Sequence, residues 1–354
     1  MILRTIIVWL LICSTLFSAT TGEFDPATRY NVKSWKRNDE AANLMAASTE
    51  QNRVQIIALQ ALKFGDKDAL NWRPLQEILQ RKGMLTESEM QSKRLNTLDQ
   101  EDVGSCVGWA TTIAGDHLLA NQTKNLSLRL DFRHRIDPAT TYALGRQAAN
   151  QLFGWDGSTG AWSVKGLKEY GYLNRKKYDG FDLSNTTPRM AKHWAAKGVP
   201  QQYIQAIQFK GSAVRAEKVS EVKAALQGGL TAIVCAQASY PSTRDSLGFS
   251  RRSGRAWAHA MAVIAYRGPD SGREGYLIQN SWTRGPDDSE WNSGPVWPPD
   301  QPKGSFWVTA QDLQYHLDQN DSWILTKLDS YERANLTGKE IFNFKGLRLK
   351  VVPK

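Results

Sequence analysis

The segment Gln100-Glu101-Asp102-Val103-Gly104-Ser105-Cys106-Val107-Gly108-Trp109-Ala110 places a single cysteine directly after a Gly-Ser pair. Small and apolar residues recur after this cysteine at spacings of three and four: Trp109, Ala110, Ile113, Ala114. This spacing predicts an amphipathic helix, with Gly104-Ser105 as its cap and Cys106 in its first turn. Unpaired N–H groups and the positive end of the helix dipole favour a thiolate there. The segment therefore predicts a nucleophilic cysteine on a helix.

Two later segments supply groups that could serve such a nucleophile. Trp257-Ala258-His259-Ala260-Met261-Ala262-Val263 brings a histidine into an apolar strand pattern, 153 residues after Cys106. Tyr276-Leu277-Ile278-Gln279-Asn280-Ser281-Trp282 follows, with its asparagine 21 residues after the histidine. An imidazole is the usual general base, and an amide can fix its orientation.

Together these residues resemble the papain-like cysteine peptidases in type, order and separation. The resemblance implies that Cys106 is the nucleophile and that His259 is the base and later the acid. It implies that Asn280 orients the imidazole and that Trp282 shields the hydrogen bond between them. Gln100, together with the Cys106 backbone N–H, would donate to the developing oxyanion.

The chain departs from the family pattern at positions beside these residues. Val103 stands where the family usually has a cysteine, which normally forms a disulfide, and Thr283 stands where a glycine commonly follows Asn-Ser-Trp. Neither change removes a catalytic group. We therefore expect a divergent member of the family.

The resemblance implies an α+β fold with two lobes. A helical lobe carrying the Cys106 helix would pack on an antiparallel β lobe carrying His259 and Asn280. The sequence predicts helices from Pro138 and through Leu167, and another over 216–226. Predicted strands, each rich in apolar residues, cover 230–236, 259–266, 275–280 and 305–308.

A glycine-containing segment, Asp156-Gly157-Ser158-Thr159-Gly160-Ala161-Trp162, resembles the family's segment that pairs with extended substrate. Gly157 and Gly160 are therefore predicted to bind substrate, although a loop followed by a helix cap explains them equally well. The resemblance adds three flanking residues of the cleft to this predicted substrate-binding set: Trp257, Ala258 and Trp282.

The other cysteines and histidines favour ordinary roles. Cys235 lies in an apolar run typical of a buried strand, and Cys13 lies in the N-terminal apolar stretch. Pairing Cys235 with Cys106 would block the nucleophile, so no disulfide is expected. The remaining histidines lack metal-ligand spacing, and we expect neither a metal nor a cofactor.

The chain divides into four predicted regions. Residues 1–22 read as a signal peptide, because a lysine-free apolar stretch too short to span a bilayer follows Arg4. Residues 23–93 are a helical N-terminal extension or a pro-segment, and the sequence favours neither. Residues 94–327 form the papain-like catalytic domain, and 328–354 a C-terminal tail. We expect a secreted or periplasmic protein, or an endolysosomal one in a eukaryotic host.

The distribution of charged residues limits the classes of partner that the sequence predicts. The chain of 354 residues carries a formal net charge of +10, but its basic residues are spread along the sequence. A nucleic-acid partner would call for a clustered basic face, so none is predicted, and no stable membrane anchor is expected after signal cleavage. The oligomeric state stays open.

The predicted function is a secreted cysteine endopeptidase that hydrolyses polypeptides through a thioester on Cys106. Two alternatives stay open: an acyl transferase or transpeptidase using the same residues, and a catalytically silent domain that only binds peptides. The sequence does not rank substrate side chains.

Overall fold

The computed structural model describes residues 29–30, 34–125, 135–207, 209–283, 290–330, 343–344 and 347–348. The signal peptide predicted for 1–22 and most of the tail predicted for 328–354 lie outside these ranges. Among the described residues, no helix has the length and apolar character needed to cross a bilayer.

Eleven helices of the described part are numbered here in chain order: α1 Asp39–Thr49, α2 Arg53–Ala61, α3 Arg73–Arg81, α4 Glu87–Ser92, α5 Cys106–Asn125, α6 Pro138–Ala148, α7 Gly160–Glu169, α8 Pro188–Lys197, α9 Gln201–Gln205, α10 Val219–Gln227 and α11 Ala310–Leu317. Short 3-10 turns cover Glu50–Asn52 and Pro269–Ser271.

The strands are β1 Ala69–Leu70, β2 Lys177–Tyr178, β3 Phe181–Asp182, β4 Phe209–Arg215, β5 Thr231–Ser239, β6 Ser253–Arg267, β7 Gly275–Gln279, β8 Ser305–Val308, β9 Trp323–Ser330, β10 Asn343–Phe344 and β11 Leu347–Arg348. The main sheet has the order β4-β9-β5-β6-β7-β8, and β1 pairs with β6. Its strands are antiparallel throughout. The pairs β2–β3 and β10–β11 stand apart from it.

Side-chain caps fix where the helices of the catalytic part begin. Asp137 accepts a hydrogen bond from the Thr140 N–H at 2.7 Å, directly before α6, and Pro138 fits the first helical turn because its missing N–H is not needed there. Thr159 accepts from the Trp162 N–H at 2.9 Å and caps α7, which begins at Gly160, three residues after Gly157.

The helix α5 is the central element between the two layers. It packs against β6 on one side and α6 on the other. At Gly108 an added Cβ would lie 2.4 Å from the Tyr142 Cβ, so only glycine permits this close approach of α5 and α6. The Cys106 helix thus lies between α6 and β6, the strand that carries His259.

The N-terminal extension is built into the catalytic part. β1 pairs with β6 in the register Ala69↔Tyr266 and Leu70↔Ala265. Helix α2 packs on α10, and α1 packs on α7. Trp72 is fully buried, and its indole N–H donates to Asp300 Oδ2 at 3.3 Å.

The predicted α+β fold, with a cysteine helix packed on an antiparallel sheet that carries the histidine and asparagine, is confirmed. The helix predicted over 216–226 begins later, at Val219, and ends before Gly228. Three strands of the sheet, β1, β4 and β9, are not predicted by the sequence. β9 also continues to Ser330, across the predicted domain end at 327.

Candidate active site

Cys106 opens α5 at the floor of a cleft between the helices and the sheet. The backbone N–H groups of Gly108 and Trp109 donate to the Ser105 carbonyl at 2.9 and 3.2 Å, which makes Ser105 the residue that starts the helix. The helix that Cys106 opens packs against β6, the strand that carries His259.

His259 and Asn280 form a pair with fixed proton positions. Asn280 Oδ1 accepts from the Ser281 backbone N–H at 2.8 Å, which identifies it as the amide oxygen. His259 Nε2 lies 2.8 Å from the same oxygen and must donate to it, since a carbonyl oxygen only accepts. His259 Nδ1 is then unprotonated, and it has no hydrogen-bond partner among the described residues. That nitrogen is the one able to take a proton.

Aromatic rings enclose this pair. The Trp282 indole stacks on the His259 ring, with centroids 4.2 Å apart and planes inclined by 24°. Tyr30 stacks on the other side of Trp282 at 4.9 Å. Trp257 and Trp291 meet Trp282 edge-on at 5.0 and 5.6 Å. The cage keeps water from the His259–Asn280 hydrogen bond.

Gln100 is fully buried and tied to the asparagine segment. Its backbone N–H donates to the Ser281 carbonyl at 3.0 Å, and its Oε1 accepts from the Ser281 hydroxyl at 2.6 Å. Its Nε2 donates to the Val103 carbonyl at 3.1 Å. One N–H of the amide is used in this way, and the second remains for another acceptor.

A segment from the N-terminus, residues 34–36, crosses the cleft and is called the strap below. The Trp35 N–H donates to the Ala258 carbonyl at 2.8 Å, on the sheet side. On the helix side, the Ser158 N–H donates to the Ser34 carbonyl at 3.0 Å and the Lys36 N–H donates to the Ser158 carbonyl at 2.8 Å, which makes a parallel bridge. The Ser34 hydroxyl donates to Cys106 Sγ at 2.8 Å. The strap thus links both sides of the cleft and caps the nucleophile.

The strap changes the ionisation expected of the site. The sequence predicts an exposed thiolate of low pKa, but Cys106 has no solvent exposure here, and burial raises its pKa to about 11. Burial likewise lowers the pKa of His259 to about 4, although the hydrogen bond to Asn280 opposes this. The expected exposed thiolate is therefore wrong for this form, because the strap excludes the water that would solvate the charges.

Two of the predicted substrate-binding residues, Gly157 and Ala258, contact the strap. A Cβ on Gly157 would lie 2.8 Å from the Ser34 carbonyl oxygen, and its φ of +112° also favours glycine. Gly160 is buried where α7 begins, and Ala258 supplies the carbonyl that holds Trp35. Trp257 and Trp282 belong to the aromatic cage instead, beside the imidazole.

Among the described residues, the other cysteine and the other histidines stay outside the site. Cys235 lies within β5 and is fully buried, as predicted, and both described cysteines are free. His117 is buried on α5, and its Nε2 pairs with Gln279 Oε1 at 3.1 Å. Among the described residues, no group of three or more His, Cys, Asp or Glu side chains could hold a metal ion.

Sequence reasoning missed three residues of this site: Ser34, Trp35 and Asp321. Trp35 Nε1 donates to Asp321 Oδ2 at 2.8 Å, although the two residues are 286 positions apart. No motif or periodicity marks these residues. The chain has 13 tryptophans, and the sequence alone does not indicate which of them contacts an aspartate.

Comparison with solved structures finds cysteine proteases. Xylellain, a cysteine protease from Xylella fastidiosa, aligns at 18% identity and a TM-score of 0.43, over 65% of this chain and 82% of its own. Digestive procathepsin L 3 from the larval midgut of Tenebrio molitor aligns at 14% identity and a TM-score of 0.37, over 67% of each chain. The cysteine protease and lectin-like domains of Cwp84 from Clostridium difficile align at 14% identity and a TM-score of 0.39, over 70% of this chain and 52% of that one.

These neighbours agree with the papain-like resemblance of the sequence. No protein-family model matches the chain, and no curated protein matches it significantly. Because the TM-scores are below 0.5, what the site can do chemically depends on its own residues.

Proposed function

We propose that this chain is a papain-like cysteine peptidase that hydrolyses polypeptides through a thioester on Cys106. One observation carries the proposal: Asn280 Oδ1 fixes His259 Nε2 at 2.8 Å and leaves Nδ1 without a partner among the described residues, on the strand that packs against the Cys106 helix.

The proposed reaction assigns one step to each of these groups. His259 Nδ1 takes the thiol proton, and the Cys106 thiolate attacks the substrate carbonyl. The N–H groups of the Cys106 backbone and of the Gln100 amide donate to the oxyanion. Protonated His259 then gives its proton to the leaving amine. In the second half, His259 takes a proton from water, which attacks the thioester and releases the carboxylic acid.

We propose that the described form is latent. The strap fills the space that an extended substrate would use, since it accepts one backbone hydrogen bond from Ser158 and donates one each to the carbonyls of Ser158 and Ala258. The group at the sulfur is the Ser34 hydroxyl and not a peptide carbonyl, so the strap offers the thiol nothing to attack. It therefore acts as an inhibitor.

Residues 23–93 are predicted to be either a pro-segment or a helical extension, and we propose that different parts of this region have these two roles. The strap is the inhibitory part. Residues from α1 onward are a permanent extension, supported by the pairing of β1 with β6 and by the ion pair of Arg53 with Glu221 at 2.7 Å. We place the processing site at Lys36–Glu40, where most side chains are exposed. Export to the periplasm or outside the cell remains proposed on the apolar N-terminus alone.

The test compares the wild-type chain with Cys106→Ala on a peptide library, with mass analysis of the intact protein. Hydrolysis by the wild type, a trapped acyl adduct on Cys106 and no turnover by Cys106→Ala would support the proposal. Adding a primary amine separates the transferase alternative, because a transferase would give amide products in place of acids. Peptide binding without hydrolysis under any condition would favour the silent domain.

A further inference from the structure

The strap places a side chain in a pocket beside the catalytic histidine. The Trp35 indole is 2% exposed, and its backbone N–H bonds the carbonyl of Ala258, the residue before His259. The indole N–H ends on Asp321 Oδ2 at 2.8 Å. Once the strap leaves, this pocket opens into the cleft with a carboxylate at its end.

The carboxylate is held rigidly. Its Oδ2 also accepts from the Gly160 N–H at 2.7 Å, and its Oδ1 accepts from the Ala161 N–H at 2.8 Å and from the Trp323 indole N–H at 3.0 Å. A Cβ on Gly160 would lie 2.5 Å from the Asp321 carbonyl oxygen, so glycine is needed for this approach. Three donors belong to the permanent structure, and only Trp35 belongs to the strap.

Loss of the strap therefore leaves one vacant acceptor position in a buried site. A buried acceptor without a donor is costly, and an occupant that restores the hydrogen bond is favoured over one of equal shape that does not. The pocket fits a flat aromatic ring, because it holds the Trp35 indole in the latent form.

We propose that Asp321 determines substrate specificity by accepting a hydrogen bond from a tryptophan side chain of the substrate in the pocket that Trp35 now fills. This inference rests on the proposed peptidase function. Asp321 touches the substrate side chain and not the reacting atoms. Gly160, predicted from sequence as a substrate-binding residue, acts here by letting the carboxylate reach its position.

The first test uses the wild-type chain, so that no variant has to fold. Three peptide series carry tryptophan, benzothienylalanine or phenylalanine at each position in turn. Benzothienylalanine keeps the bicyclic shape and replaces the N–H with sulfur. At one position we expect tryptophan to exceed benzothienylalanine by about 10–100-fold in kcat/KM, the value of one hydrogen bond to a charged group.

Equal cleavage of the two bicyclic peptides at every position would overturn the proposal. A preference for arginine over tryptophan at that position would overturn the choice of an indole. If no peptide is cleaved at all, the proposed function fails, and the pocket is then judged by the second test alone.

The second test needs no catalysis. Trp35→Phe in the full chain removes the indole N–H and should loosen the strap, so that iodoacetamide labels Cys106 about 10–100-fold faster. Trp194→Phe is the matched control, because Trp194 packs on Tyr203 away from the strap. If wild type and Trp35→Phe are labelled at equal rates, the hydrogen bond to Asp321 does not determine what occupies the pocket, and the proposal is overturned.

Discussion

The Ser34 hydroxyl donates a hydrogen bond to the Cys106 sulfur at 2.8 Å, across 72 residues of chain. Both residues are fully buried. This bond favours the thiolate, but the burial that accompanies it has the larger effect and leaves the Cys106 pKa raised. The N-terminal segment therefore keeps the nucleophile protonated while it occupies the cleft.

Replacing Ser34 with alanine should speed the labelling of Cys106. One buried hydrogen bond is worth about 1 kcal/mol, so its loss should raise the open population, and with it the iodoacetamide labelling rate, about fivefold. Mass spectrometry of the modified peptide measures the rate. Ser48→Ala is the control, since the Ser48 hydroxyl bonds only the Met45 carbonyl of its own helix. Identical rates in both variants would mean that the Ser34 contact contributes nothing to closure.

Replacing Gln100 and replacing His259 should have different effects on the labelling of Cys106. His259→Ala removes the proton acceptor, so both turnover and the labelling of Cys106 should collapse. Gln100→Ala removes one oxyanion donor, which costs about 10²–10³ in turnover, while labelling persists because alkylation forms no oxyanion. Apparent substrate binding should change little, since the ground-state carbonyl is less charged than the transition state.

A control is needed because Gln100 also anchors Ser281. Ser281→Ala removes the 2.6 Å bond to Gln100 Oε1 and keeps the amide N–H groups. It should retain turnover within about tenfold of wild type, given one hydrogen bond of about 1 kcal/mol. Full turnover in Gln100→Ala would exclude Gln100 as an oxyanion donor.

Closure of the strap should weaken at acidic pH. Burial lowers the His259 pKa to about 4 from its usual 6.5, so the closed form binds fewer protons than the open one. The closed form is therefore fully favoured above pH 6.5, and it loses up to about 1.4 kcal/mol per pH unit as the pH falls toward 4. Cys106 acts at the other end: its raised pKa destabilises the closed form as the pH rises above 9, the usual thiol value.

Hydrogen exchange of the Trp35 and Lys36 amides, corrected for the intrinsic rate at each pH, measures this opening. Protection should be greatest between about pH 6.5 and 9 and should fall on the acid side. His259→Ala should lose the acid decline and keep the alkaline one. If protection of these amides in the wild type did not fall at acidic pH, closure of the strap would not depend on the ionisation of His259.

Maturation should leave a product that begins at Lys36–Glu40 and retains α1 to α4. Prolonged incubation at pH 5, followed by N-terminal sequencing, gives the position, and Cys106→Ala separates self-cleavage from cleavage by another protease. The physical reason is burial: Leu75 and Trp72 are fully buried, so excision up to residue 93 would expose the core. An active, soluble product beginning near Arg94 would contradict a permanent extension.

The sequence could predict the candidate catalytic residues Cys106 and His259 because each lies in a regular element with its own pattern. Cys106 opens a helix, and His259 lies in a strand whose apolar run is visible. The local spacing also predicts helices α6 and α7 close to their true starts. These features depend on neighbours a few residues away, which a single sequence records.

The strap and its pocket depend on distant neighbours, and local patterns carry no trace of them. Ser34 and Trp35 form no helix or strand of their own, and their side-chain partners are 72 and 286 residues away. The raised Cys106 pKa follows from the burial that accompanies this contact, so local patterns do not predict it either. β1 has only two residues, too few for any alternation to be seen.

The pairing of β1 with β6 carries a consequence for behaviour in solution. Ala265 and Tyr266 bond β7 on one side and β1 on the other. Without β1, this stretch of β6 would present unpaired backbone groups at an open sheet edge, and such edges recruit strands from other molecules. The extension therefore guards the protein against self-association, and a chain trimmed past Leu70 should aggregate even if its catalytic residues stay in place.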